Sequence, residues 1–339
     1  MNKALKRMIS MTTICGLLLA AAAANAADIK DQVLRIAYAN GDGNPQHEGA
    51  KRFSELVAAK SGGKMVVKLY PNASLGKDIA VLSAMQGGTI DMGLMYTSLL
   101  VGNAKATGLV QLPYLFDTEK EVFAVLDGPV GQKIHASMEP RGIIGLGYYG
   151  FGFIHMISNK RPFNTIDDFK GQKLRVTETP INIEFINALG GNAVPIPYAE
   201  LYTAFEQKII DGGSQPLINL QFAKFHEVLK YLSLTRHSYE PQSFLVSKKS
   251  WDKLSADEKK VLQDSFEDSK GFQRKLAADL EKSSLDFVKT KMTVNELAPA
   301  EIVKIREKVK PMTEKYSKEY NEPLAKEMLA ELAKMRGAK

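Results

Sequence analysis

What most constrains the fold of this chain is an alternation of short β-branched runs with amphipathic stretches, present twice and separated by a glycine- and aromatic-rich segment. Residues 34–38 read as a strand, and residues 47–59 then place Ala50, Phe53, Leu56 and Val57 on one helical face before Ser61-Gly-Gly63 stops it. Residues 65–70 form a second strand stopped by Pro71-Asn72, 78–85 a short helix and 91–95 a third strand. The pattern restarts with a strand at 173–176, after which Thr179-Pro180 supplies an N-cap and a first-turn proline. That helix runs to Gly190-Gly191; another is expected at 198–207 and a strand at 209–211. Alternation of this kind specifies βαβ units and mostly parallel sheets. At 339 residues, with 45% hydrophobic and 24% charged side chains, the chain suits two globular α/β lobes. Ser255-Ala-Asp-Glu258 is a capping box expected to open a helix reaching past Leu280, and 299–339 should be helical with a break near Pro311.

The first residues read as a secretory signal: a basic start (Lys3, Lys6, Arg7), an apolar run to Ala24, and an A-x-A site with cleavage expected after Ala26. The run is too short and too interrupted by Ser10, Thr12 and Thr13 for a membrane anchor. Cys15 is the only cysteine, so the mature chain is expected to lack disulfides and thiolate chemistry. Export without cysteines suits a bacterial periplasm. Loss of the three signal cations lowers the formal charge from +7 to about +4, a mild excess mixed with acids that does not suggest nucleic acid as a partner.

Gly145, Gly147 and Gly150 carry the G-x-G-x-x-G spacing of a dinucleotide loop, with Asp167 and Asp168 near the distance of a ribose ligand. Such a loop needs a helix immediately after it to receive the pyrophosphate. The adjoining residues, Phe151-Gly-Phe-Ile-His-Met-Ile157, read as more strand instead, and the two aspartates look like a turn or helix start. No cofactor is expected; the glycines read as a strand linking the lobes.

A series of short motifs carries a resemblance across nearly all the mature chain. They are Leu69-Tyr-Pro71, Leu75-Gly76, Gly87-Gly-Thr-Ile-Asp91, Lys170-Gly-Gln-Lys-Leu-Arg-Val176, Ala188-Leu-Gly190, Pro195-Ile-Pro197, Glu200-Leu-Tyr202, Asp211-Gly212, Leu234-Thr-Arg-His237 and Trp251-Asp-Lys-Leu254. Each is weak alone, but in this order they make the chain similar to the substrate-binding proteins of tripartite ATP-independent periplasmic (TRAP) transporters, in the dicarboxylate-type branch. The resemblance implies an α/β, two-lobed periplasmic binding protein, each lobe a mixed sheet flanked by helices, with a long helix spanning both. It also implies a receptor that delivers a small organic acid to a membrane permease, acting as monomer or dimer and catalysing nothing. The expected division is 1–26 signal, 27–150 first lobe and 151–237 second lobe. Residues 238–283 should then return to the first lobe with the start of the long helix, and 284–339 should lie mainly with the second.

Arg175 occupies the position of the family's carboxylate-binding arginine, and a guanidinium offers two parallel donors to two carboxylate oxygens. The resemblance also places Tyr198 as a ring packed on ligand and Gln215 where asparagine often stands. Tyr96, His155, Asp78, Tyr38 and Asn40 complete the expected ligand-binding set. In the related sialic-acid branch a second arginine lies about twenty residues before the first, where this chain reads Phe153-Ile-His155-Met156; Tyr96 replaces an acid, and Ala39 or Asn40 a polar group. Fewer charges and more rings lead to the expectation of a monocarboxylate such as an aromatic, 2-hydroxy or 2-oxo acid, in a pocket that disfavours sugars. His47-Glu48 and His226-Glu227 lack metal-ligand spacing and read as solvated helix faces, and His237 as structural; no metal is expected. The competing class is a secreted hydrolase or lyase acting on small acids, against which stand the lack of G-x-S-x-G, H-E-x-x-H and a mature-chain cysteine.

Overall fold

The computed structural model describes residues 28–337, so the secretion signal, its cleavage site and Cys15 lie outside the described residues. The first lobe opens with β1 (Gln32–Tyr38), α1 (Pro45–Lys60), β2 (Met65–Tyr70), α2 (Asp78–Gly87) and β3 (Met92–Tyr96). After two 3-10 turns come α3 (Glu119–Asp127), α4 (Pro129–Ala136) and β4 (Ile143–Tyr149). The second lobe holds β5 (Phe153–Ser158), β6 (Lys173–Val176), α5 (Pro180–Ala188), β7 (Asn192–Pro195), α6 (Leu201–Glu206), β8 (Gly212–Pro216), α7 (Leu217–Phe222) and β9 (Tyr231–Tyr239). The chain then runs through β10 (Gln242–Ser247), α8 (Lys248–Trp251), α9 (Ala256–Lys289), β11 (Thr293–Glu296) and α10 (Pro299–Met335).

Two mixed sheets result, ordered β2-β1-β3-β10-β4 and β11-β9-β5-β8-β6-β7. β1 pairs parallel with β2 and β3, as the sequence alternation requires, while β10 is antiparallel to β3 and β4. Local chemistry sets the elements. Asn44 caps α1 by accepting from the Gln46 amide, Pro45 sits in its first turn, and Ala50, Phe53 and Val57 are buried beneath it. Ser255 and Glu258 form the reciprocal capping box that opens α9.

Among the described residues the lobes are joined by two strand connectors and by helices that pack on both. β4 passes through Gly150-Phe151-Gly152 into β5, β9 returns through Glu240-Pro241 into β10, and α9 packs on α1 in one lobe and on α7 and β11 in the other. No helix begins at Gly150, so the glycine spacing is not a dinucleotide loop. Its glycines serve close packing instead: a Cβ at Gly145 would stand 2.3 Å from the His135 ring, and one at Gly147 2.2 Å from Phe266. At the crossing itself Gln273 of α9 grips both backbone polar groups of one residue, Gly150. Its Oε1 accepts the Gly150 N–H at 2.9 Å and its Nε2 donates to the Gly150 carbonyl at 2.7 Å.

Several expectations are corrected. Residues 209–211 are a turn, because Lys208 is left-handed (φ 57°) and turns the chain; the strand starts at Gly212. The helix expected at 198–207 is a 3-10 turn followed by the short α6. α10 does not break at Pro311. Its non-helical residue is Asn321 (φ −175°, ψ 94°), whose Oδ1 accepts the Leu324 amide and so caps the segment in which Pro323 is an early-turn residue. Nor does α10 keep mainly to the second lobe: Met312, Tyr316 and Met328 share one buried cluster with Leu109, Val122 and Val125 of the first and Phe185 of the second.

Gln273→Ala should leave both backbone groups of buried Gly150 without a partner, at about 1–3 kcal/mol each. The expected outcome is a urea midpoint lowered by the equivalent of about 2 kcal/mol or more with unchanged far-UV circular dichroism; an unaltered midpoint would contradict the clamp.

Candidate ligand-binding cleft

The C-terminal ends of the parallel strands face the junction of the lobes, which is where open α/β sheets bind ligands. β6 delivers Arg175 there: alternation along the strand sends Leu174 to the core and Arg175 to the junction. Arg175 is only 3% exposed. Its Nε donates to the Ile196 carbonyl at 2.9 Å, and among the described residues no carboxylate lies within ion-pair distance of it. Burying a guanidinium costs several kcal/mol unless it is matched by charge and hydrogen bonds, so this residue is out of place as structural filler.

Two cavities meet at Arg175. The larger, about 160 Å³, is lined by Lys77, Asp78, Tyr96 and Leu99 from the first lobe and by Arg175, Thr177, Glu178 and Tyr198 from the second. The smaller, about 20 Å³, is lined by Tyr96, Gln111, Arg175, Thr177, Asn182, Gln215, His237 and Glu240 among others. Other hollows are bigger, including one of about 290 Å³ beside β4, but the cation there, Lys270, already pairs with Asp127 and Glu267. Across the mouth, Lys77 of the first lobe forms an ion pair with Glu200 of the second. Deeper in, Asn219 Nδ2 donates to the Tyr96 hydroxyl (3.1 Å) and to Gln215 Oε1 (2.8 Å), linking the lobes and leaving Nε2 as the donor Gln215 has to offer.

Burial controls the charge here. It pushes the Glu240 carboxyl up to about 8, against hydrogen bonds from Ser98 (3.1 Å) and Gln111 (3.0 Å) and the field of Arg175. Burial and then Glu178 raise Asp78 to about 6, with Arg175 opposing. Burial holds His237 down at about 3, so its ring is neutral; its Nδ1 meets Thr235 Oγ1 at 2.8 Å and it stacks on Phe185. The cleft at neutral pH therefore offers a fixed cation beside a largely protonated acid. That arrangement suits an anion carrying further hydrogen-bonding groups.

Comparison with known proteins places this geometry. The model of the bacterial extracellular solute-binding protein family 7 (DctP) matches residues 36–319. The chain belongs to this family. It is 34% identical over 268 residues to the 2,3-diketo-L-gulonate-binding periplasmic protein YiaO of Escherichia coli K12, covering 79% of this chain and 82% of that one. A TRAP periplasmic solute-binding protein from Ochrobactrum anthropi, its C-terminus bound in the ligand-binding pocket, is 41% identical with a TM-score of 0.83, covering 92% and 98% of the two chains. The sugar acid binding protein DctPAm from Advenella mimigardefordensis, solved with galactonate, is 36% identical with a TM-score of 0.89 over 91% and 99%. The protein is thus a periplasmic TRAP solute receptor for small acids rather than an enzyme, and its two-sheet architecture is that of the solved relatives.

Within the receptor, the residues singled out from sequence divide. Arg175, Tyr96, Tyr198, Asp78 and Gln215 all line the paired cavities. His155 does not: it opens on a separate hollow with Phe153, Arg236 and Glu281, its Nδ1 accepts the Arg236 amide at 3.3 Å, and burial first among causes holds it neutral with a pKa of about 3. Tyr38 turns into the first-lobe core, its hydroxyl 3.1 Å from His47 Nδ1. His47 is thereby more than a solvated face residue. Asn40 is tied to Gln46 (2.8 Å) and borders a third cavity nearer the mouth. Among the described residues no group of three or more His, Cys, Asp or Glu is placed to hold a metal.

Sequence reading missed Glu240, Gln111, Thr177 and Asn182. Glu240 had a signal: it is the lone charge between Ser238 and Val246, a run that otherwise reads as buried strand. Because the folded protein keeps the Glu240 proton to about pH 8 while the unfolded chain releases it near 4.5, folding takes up a proton across that window. The associated stability is complete below pH 4.5 and lost as pH rises through about 8. Glu240→Gln, neutral throughout, should gain on the parent steadily between pH 5 and 8 in urea unfolding. A stability difference independent of pH would show that Glu240 is ionised in the fold.

Proposed function

We propose that the receptor captures a hydroxylated monocarboxylate, a 2-hydroxy or 2-oxo sugar acid, and delivers it to its TRAP permease. The observation that carries this reading is Arg175: a buried guanidinium at the lobe junction, lining both cavities, without a carboxylate within ion-pair distance among the described residues. A ligand carboxylate would supply the missing charge through paired hydrogen bonds. The second support is the polarity of the walls. Asp78, Lys77, Thr177, Glu178, Asn182, Gln215 and Glu240 offer donors and acceptors for hydroxyl or oxo groups, beside the rings of Tyr96, Tyr198 and His237 and the apolar Ile79 and Leu99. An aromatic or otherwise apolar acid would leave those polar groups unpaired, which favours the hydroxylated acid over the aromatic one. Relatives that bind 2,3-diketo-L-gulonate and galactonate, a 2-oxo and a 2-hydroxy acid, point the same way. The larger cavity, at about 160 Å³, lies below the size typical of drug-like ligands and fits a small acid.

Roles follow from placement. Arg175 holds the carboxylate, Gln215 Nε2 donates to it or to the adjacent oxygen, Asp78 accepts from a hydroxyl, and Tyr198 covers the carbon skeleton. Thermal melting with galactonate, 2,3-diketogulonate, succinate and benzoate should show stabilisation by the sugar acids. At one hundred times the dissociation constant this amounts to about 2.7 kcal/mol. Arg175→Ala should weaken binding at least about 100-fold by calorimetry, since each charged hydrogen bond contributes about 1.5–3 kcal/mol. Benzoate preferred to every sugar acid, or an Arg175→Ala variant that binds normally, would refute the reading.

A further inference from the structure

Outside the Arg175 cavity lies a larger one, about 350 Å³, that shares Ala39, Ala73, Tyr198 and Ala199 with it. The two are therefore adjoining chambers of one cleft, with Tyr198 between them. The walls of the outer chamber differ sharply in chemistry. The first lobe contributes Asn40, Asp42, Asn44 and Asn72, and the second contributes the rings of Tyr198, Tyr202, Phe222 and Phe225. Amides and a carboxylate match hydroxyl groups, and ring faces match the C–H faces of a saturated ring. Neither wall alone suits a hydrocarbon or a simple ion.

The backbone around this chamber is held in an uncommon form. Asn72 and Ala73 both adopt left-handed torsions, φ 57° and 52°. They are fixed by Asn72 N–H to the Asn40 carbonyl (3.4 Å) and Ala73 N–H to the Tyr38 carbonyl (3.0 Å). Strain of this kind outside glycine persists where surrounding structure over-determines it, and it gathers at ligand clamps. Here it carries the Asn72 side chain over Gly41, where a Cβ would stand 2.3 Å from the Asn72 Oδ1. Opposite, the Phe222 ring reaches across the cleft to Gly43, 2.8 Å from where a Cβ would be. Two loops of the first lobe and helical segments of the second thus border the chamber, which stays open to solvent on one side. Its volume exceeds that of the chamber holding Arg175, so a six-carbon acid would leave most of the cleft to water.

We propose that the outer chamber is a second subsite, which takes a hydroxylated ring joined glycosidically to the acid held at Arg175. The substrate class is then a disaccharide-sized sugar acid, an aldobionate, with its carboxylate inside and its ring stacked on Phe222 and Tyr202 while its hydroxyls meet Asn72 and Asp42. This rests on the proposed carboxylate role of Arg175.

The test is calorimetry on the mature protein with gluconate and galactonate against lactobionate and cellobionate, repeated on Asn72→Gly, Phe222→Ala and Arg175→Ala. Asn72→Gly removes the amide while keeping a residue that tolerates the left-handed torsion. The expected result is an aldobionate bound at least about tenfold tighter than its six-carbon aldonate, with Asn72→Gly and Phe222→Ala erasing that advantage and leaving aldonate affinity within about twofold. Aldonates bound as tightly as aldobionates, or outer-chamber variants that weaken both classes equally, would overturn the second subsite while leaving the Arg175 reading intact. Failure of Arg175→Ala to weaken any acid would overturn both.

Discussion

The molecule is organised around one expensive group, the Arg175 guanidinium, kept out of water where two lobes meet. Among the described residues nothing neutralises it directly. Its Nε is satisfied by a carbonyl; of the nearby acids, Glu240 keeps its proton, Asp78 stands on the other lobe with a raised pKa, and Glu178 lies beyond ion-pair distance while still acting on it through its field. A paired guanidinium would be stable and inert. An unpaired one at the lobe junction is what the proposed receptor role requires, since an incoming anion would then favour the arrangement that surrounds it.

The scaffold places that group without spending flexible loops on it. β6 sits inside the second sheet between β8 and β7, so Arg175 is positioned by strand pairing on both sides. The opposing wall comes from the end of β3 and the start of α2, which β1 and the β10 pairing hold in register. Among the described residues the Asn219 bonds and the Lys77–Glu200 pair bridge the lobes at the cleft. The first is buried and the second exposed, so the second adds little energy and is sensitive to salt. Neither could hold the lobes shut against the cost of a bare buried cation.

Much of the fold was legible because its signals are local. The Ser255–Glu258 box forms as read, and Pro180 stands in the first turn of α5, although Thr179 makes no side-chain capping bond there. What failed was what depends on distant partners. The helix break moved from Pro311 to Asn321 because a side-chain cap, not the proline, decides where the axis can restart. β10 owes its existence to β3 and β4, far off in sequence, and Glu240 in the link before it became a site residue only once that link crossed the junction. Of the residues named from sequence, Arg175, which rested on a motif, lines the paired cavities, while Tyr38 lies in the first-lobe core and His155 lines another hollow. A single-residue shift along a strand reverses the side chain, so Ala39 borders the cleft while Tyr38 fills the core.

The double hydrogen bond between Gln273 and Gly150 has a mechanical meaning. With the N–H and the C=O of Gly150 both bonded to α9, the outgoing connector is pinned at one point along the long helix. Any change in the angle between the lobes must be absorbed as torsion beyond the pin, in Phe151 and Gly152, and on the return path in Glu240 and Pro241. That return link carries Glu240, the buried acid that lines the same cavity as Arg175.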